Sequence, residues 1–119
     1  MKKRIMTRRK MNHVLSELSN ALLLAGGRQL DLRLLREENG LRLLIEGDFS
    51  PEHQHGMERM ARLLRPQVRD PALAETYWEL AGGDQYTSES ELALVGQMLD
   101  AAEVDVGPGR IQMDLYIAF

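Results

Sequence analysis

Apolar residues recur at helical spacing from Met11 to Ala25, with Val14, Leu18, Ala21, Leu22 and Ala25 on one face and Gly26 placed to stop the helix. The period then changes to two. Leu30, Leu32 and Leu34 alternate with Asp31 and Arg33, and Leu41, Leu43 and Ile45 stand between Arg42 and Glu46 and the residues beside them. Asn39-Gly40 separates the two runs and suits a two-residue turn with positive φ at both positions, so the stretch predicts a β-hairpin. Ser50-Pro51-Glu52 supplies a cap, a proline at the first helical position and an acid in the first turn, followed by Met57, Met60, Ala61 and Leu64 at helical spacing up to Pro66. Asp70-Pro71 opens another predicted helix, carrying Leu73, Tyr77, Leu80 and Ala81 inward before Gly82-Gly83. Ser88 opens a fourth, with Leu92, Val95, Leu99 and Ala102 along one stripe. Val104-Asp105-Val106, a Gly107-Pro108-Gly109 turn and the run from Arg110 to Phe119 predict a closing hairpin, with Ile111, Met113, Leu115, Ile117 and Phe119 on one face.

Hairpins at both ends and helices between them predict an α+β two-layer sandwich, an antiparallel or mixed sheet covered on one face by helices. At 119 residues, 44% of them hydrophobic, the chain supports one compact domain. The last strand ends Leu115-Tyr116-Ile117-Ala118-Phe119 without a charged blocker, and at a sheet margin it would offer an edge for a homodimer.

Charge divides the chain unevenly. Lys2, Lys3, Arg4, Arg8, Arg9 and Lys10 fall within residues 1–10, which carry no acid; of 15 basic residues this leaves nine in the remainder, against all 18 acids. Residues 1–10 therefore read as a basic, solvated N-terminal arm and 11–119 as the domain. An acidic body disfavours a surface that tracks phosphates, so nucleic acid is an unexpected partner. The absence of cysteine removes disulfides and thiolate metal sites, and no apolar run has signal-peptide or membrane-spanning form, which places the expected protein in the cytoplasm and off the membrane.

Asn20 is the residue that asks for an explanation, because an asparagine amide competes with the helix backbone and costs stability in a helix interior. Bonding to a neighbouring backbone is the structural explanation, and ligand binding the functional one. His13, Ser16 and Asn20 share a polar stripe, but no nucleophile elbow or oxyanion donors accompany them. Glu52, His53 and His55 sit in a first helical turn, where residues two apart diverge, and read as solvated. Met57, Met60 and Met98 fall at core spacing.

Two stretches together resemble the ATP-binding domain of the GHKL superfamily of histidine kinases, gyrase-type enzymes and anti-sigma-factor serine kinases. VLSELSNALLLAGG is similar to the helix that carries Glu-x-x-x-Asn-Ala followed by His-Gly, and LALVGQMLDAAEVDVGPGRIQMDLYIAF is similar to the terminal helix and hairpin. The resemblance places Asn20 on the magnesium-coordinating asparagine, Ser16 on the glutamate base with Glu17 beside it, and Leu24 on the histidine. In IEGDFSP it puts Gly47 where the adenine-recognising aspartate belongs, with Asp48 one residue away, and Phe49 and Pro51 on two glycines. The phosphate-binding Gly-x-Gly-Leu corresponds to Glu89-Ser90-Glu91-Leu92, where Ser88 and Glu91 form a capping box. Carboxylates there oppose a triphosphate, with like charges about 4 Å apart repelling by roughly 1 to 4 kcal/mol.

The resemblance thus implies a non-catalytic GHKL-like domain without ATP binding or cofactor, acting as a protein-interaction or regulatory module in bacterial signalling with a protein partner. An alternative is an active anti-sigma-type serine kinase or histidine kinase-like ATPase, using ATP and magnesium with Asn20 on the metal, Glu17 as base and Asp48 on adenine. A second alternative is a small nucleic-acid-binding protein that uses the basic arm.

Overall fold

The computed structural model describes the backbone of residues 2–65 and 88–119, with the side chains of 3–65 and 91–119. The helix expected after Asp70-Pro71, with Leu73, Tyr77, Leu80, Ala81 and Gly82-Gly83, lies outside the described residues. The described elements are α1 (Lys2–Leu24), β1 (Leu30–Arg36), β2 (Gly40–Asp48), a 3-10 turn (Pro51–His53), α2 (Gln54–Leu64), α3 (Ser88–Met98), β3 (Ala101–Gly107) and β4 (Arg110–Ala118). The strands form one antiparallel sheet in the order β1-β2-β4-β3. The fold is α+β in two layers, with α1 against β2 and β4, α2 against β3, and α3 packed between α1 and α2.

Alternation dictates the sheet side of the core. Leu41, Leu43 and Ile45 on β2 face the helices beside Ile111, Met113, Leu115 and Ile117 on β4, and all seven are buried. The helices answer with Met11, Val14, Leu18 and Leu22 from α1, Met57, Met60 and Leu64 from α2, and Leu92 and Val95 from α3. Each such side chain removed from water contributes about 1.5 to 3 kcal/mol. The last strand, β4, is not at the sheet margin: it pairs with β2 and β3 along its length, so the edge for self-association expected there does not exist. Its apolar alternation demands two neighbours and a covered face, and the margins fall to β1 and β3.

The first helix starts at Lys2, nine residues before the expected Met11. Lysine and arginine are good helix formers, but here they occupy the positive end of the helix dipole with no acid in the first turn. Tertiary contacts offset this. Met11 is buried, and Thr7 Oγ1 lies 2.8 Å from Lys3 O and 2.9 Å from Ala118 O, sharing one proton between two carbonyls. Arg4 stacks 5.0 Å from the centre of the Phe119 ring.

The helix ends as its glycines require. Gly26, at φ +88°, donates to Leu23 O, and Gly27 N donates to Leu22 O, which together make a Schellman cap. The Ser50 side chain packs onto Gly26 and makes no cap bond to the 3-10 turn it precedes. The first hairpin turns one residue earlier than expected: Glu37 N donates to Gly40 O, Glu38-Asn39 forms the loop, and neither Asn39 nor Gly40 has positive φ. Gly40 is needed for space instead, because a Cβ there would strike the backbone oxygen of Ile117 and lie 2.6 Å from the Tyr116 hydroxyl. In the second hairpin Pro108-Gly109 forms the loop, with Gly109 at φ +69°. Helix α3 stops at Met98, short of the expected Ala102, because Asp100 N already bonds Tyr116 O.

Two helical glycines separate packing from propensity. Gly96 brings α3 against the α2 backbone, where a Cβ would strike Leu63 O and come within 3.4 Å of Leu64 Cα, whereas a Cβ on Gly56 meets nothing within 4 Å. Gly96→Ala should destabilise by about 1 to 3 kcal/mol despite its higher helix propensity, and Gly56→Ala should stabilise by up to about 1 kcal/mol. Chemical denaturation of both variants checks the pair.

Candidate functional site

The α1 wheel decides the fate of Asn20. At about 100° per residue it sits on the side opposite the buried stripe of Val14, Leu18 and Leu22, two positions from both leucines. It is exposed, and its side chain makes no hydrogen bond among the described residues, so no local backbone bond accounts for it. That position was legible from helical spacing alone.

Asp48 is committed elsewhere. Its Oδ1 accepts from Gln29 N at 3.0 Å and Arg28 N at 2.8 Å, closing the turn that carries α1 into β1. Those backbone donors, Gln29 first, hold its carboxyl below the ordinary value of 3.8. Beside it, a Cβ on Gly47 would lie 2.8 Å from Leu30 Cδ2 and 3.6 Å from Leu22 Cδ1, and Phe49 is buried in the core. Apolar side chains therefore occupy the volume next to β2. Leu24 takes no part in filling it, being 78% exposed.

Of the residues that the sequence singles out on α1, Glu17 and His13 join another functional group. Glu17 is half-buried on α1 one turn from His13, and both face Glu91 of α3. The association of Glu91 with His13 is invisible in sequence, where Glu91 reads as a capping residue; the side chains of Ser88, Glu89 and Ser90 lie outside the described ones. His53 faces Glu52 at 3.9 Å and His55 faces Glu58 at 3.6 Å, on separate partners and largely in solvent. Lys3, Arg4, Arg8, Arg9 and Lys10 are all exposed along the first turns of α1.

The surface that sequence reasoning missed is β1. Leu32 and Leu34 point to the helix-covered side, opposite Ile45 and Leu43, yet remain 41% and 49% exposed, and Leu35 on the other side is 37% exposed. The described helices stop short of them, because α1 lies over β2 and β4. The bond from Glu37 N to Gly40 O sets the alternation: odd-numbered residues of β1 bond to β2, and Leu30, Leu32, Leu34 and Arg36 turn their N–H and C=O groups to the open edge. An extended, leucine-rich edge of this kind is a template for another strand.

The face of the sheet away from the described helices is polar. Arg42 reaches Glu37 at 2.9 Å and Asp114 at 2.6 Å and lies 5.1 Å from the Tyr116 ring centre, a network that favours its protonated guanidinium through the hydrogen bonds it donates to Glu37 and Asp114. Beside it a shallow groove of about 610 Å³ is lined by Asp31, Arg33, Glu46, Glu103, Asp105 and Asp114 among others. Among the described residues, no helix is long and apolar enough to cross a membrane. Neither protein-family models nor curated proteins give a match to this chain.

The Asp48 turn has a pH signature. A depressed folded pKa contributes stability that is complete above the unfolded value near 3.8 and is lost as pH falls below it through the folded value. Asp48→Asn should therefore be less stable than wild type at about pH 6, with the deficit shrinking toward about pH 3. Denaturant titrations of both chains at the two pH values measure this, and a constant deficit would contradict it.

Proposed function

We propose that this chain is a non-catalytic, GHKL-like interaction module of bacterial signalling, working in the cytoplasm and binding through the β1 edge. The observation that carries the reading is the row of exposed leucines on a strand whose outer backbone groups have no partner among the described residues. Loss of nucleotide binding is supported by Asn20 facing solvent, Asp48 holding backbone amides, and Phe49 filling the volume beside β2.

A second copy of the chain is the partner that β1 fits. Antiparallel pairing of two β1 strands must set residues of the same face opposite each other, which permits few registers. A two-fold axis at Arg33 opposes two arginines, and one at Leu34 brings Asp31 toward Glu37. An axis at Leu32 sets Asp31 of each copy opposite Arg33 of the other and Leu30 opposite Leu34. In that register the free N–H and C=O groups of Leu30, Leu32 and Leu34 meet one another, and the charged pairs occupy the non-hydrogen-bonded positions, where Cα atoms approach to about 4.5 Å. The product is a continuous eight-stranded sheet from two four-stranded ones.

Sedimentation equilibrium tests this reading. Wild type should form a dimer of the 13.5 kDa chain. Asp31→Arg or Arg33→Asp alone should weaken the dimer by about tenfold or more, as two cross-strand pairs worth roughly 0.2 to 1 kcal/mol each change sign. The double exchange should restore it. Calorimetric titration of the same samples with magnesium and a non-hydrolysable ATP analogue should give no saturable heat; micromolar binding would turn the assignment to the serine kinase.

A further inference from the structure

The His13, Glu17 and Glu91 cluster plays no part in β1 pairing, and it contains a buried polar group that the fold leaves unsatisfied. Glu91 is only 6% exposed, and its Oε2 has no hydrogen-bond partner among the described residues. His13 Nε2 lies 3.4 Å from that oxygen without directing an N–H at it, and the half-buried Glu17 supplies a further carboxylate. One ligand atom from each of the three side chains lies within 4.8 Å of the others, and no other such group occurs among the described residues. Buried carboxylate oxygens are ordinarily paired, hydrogen-bonded or bound to a cation.

We propose that His13, Glu17 and Glu91 form a binding site for a divalent transition metal of the zinc class. Three features argue for it. His13 and Glu17 are four residues apart on one face of a 23-residue helix, so both project to the same point with α1 fixing their spacing. The 3.4 Å between His13 Nε2 and Glu91 Oε2 matches the edge of a tetrahedron whose metal–ligand bonds are about 2.1 Å. One imidazole nitrogen with two carboxylates suits zinc or its first-row neighbours, whereas magnesium and calcium favour oxygen throughout. The cation would satisfy the orphaned Glu91 oxygen and join α1 to α3. Three protein ligands leave a coordination position open, and His13, with 41% of its side chain exposed, leaves the site reachable from solvent.

Titration of the full chain with Zn²⁺ by calorimetry, with Co²⁺ absorption as the report on geometry, tests the site. The expected result is one equivalent bound, a raised melting temperature, and a Co²⁺ spectrum of tetrahedral intensity. Glu91→Gln and His13→Ala should each weaken binding by at least about tenfold, the lower bound for losing even an outer-shell partner. Glu17→Gln alters a half-buried residue, keeps the helix, and should weaken binding likewise, so the test survives if Glu91→Gln fails to fold. His55→Ala, whose side chain is 96% exposed, should leave binding unchanged. Absence of stoichiometric binding, or binding that His13→Ala and Glu17→Gln leave intact, would overturn the proposal.

Discussion

The rest of the molecule depends on the burial of one row of side chains, formed by Leu41, Leu43 and Ile45 on β2 and Ile111, Met113, Leu115 and Ile117 on β4. These two strands are neighbours at the sheet centre, so their apolar faces make one continuous surface that water must leave. Helix α1 lies along that surface, with Leu18 and Leu22 fully buried. Helix α2 covers β3, and α3 closes the space between the two helices at a point where Gly96 allows backbone contact with Leu63. A helix is about 10 Å wide and a strand occupies under 5 Å of sheet, so a helix centred on β2 and β4 does not itself reach across the outermost strand. Exposure of Leu32 and Leu34 follows from where the core is centred.

That geometry links packing to the functional proposal. A shift of α1 that covered β1 would uncover β4 and expose fully buried residues such as Leu115. The proposed pairing at the β1 edge would therefore add a strand to this sheet at no expense to its own core. By contrast, the region beside β2 that the GHKL resemblance would assign to nucleotide is built for closure. Phe49 joins the core there, and Asp48 holds the amides of residues 28 and 29. The same resemblance draws attention to α1, where Glu17 meets His13 and Glu91 in an arrangement that the family pattern does not supply.

Much of the fold was legible because period-two and period-3.6 patterns report burial directly. The inward residues of α2, Met57, Met60, Ala61 and Leu64, and those of β4 follow from spacing alone. Strand order was not legible: nothing local to Leu115 or Ile117 says that two strands flank β4, whereas its dense apolar face is satisfied only at the centre. The basic residues before Met11 read as solvated from their charge, yet Thr7 and Met11 draw the helix back through them. Gly40 suggests freedom of φ from its place after Asn39, but it is required for the space that the Ile117 carbonyl and Tyr116 take. The site was less legible than the fold, because the exposure of β1 and the meeting of His13 with Glu91 both arise from contacts between elements distant in sequence.

Amide hydrogen exchange on β1, followed as protein concentration is lowered, tests the central claim at the backbone groups themselves. The amides of Asp31, Arg33 and Leu35, bonded within the hairpin, should stay protected throughout, while those of Leu30, Leu32 and Leu34 should be protected when concentrated and exchange freely on dilution. Free exchange of Leu30, Leu32 and Leu34 at every concentration, with the hairpin intact, would contradict that claim.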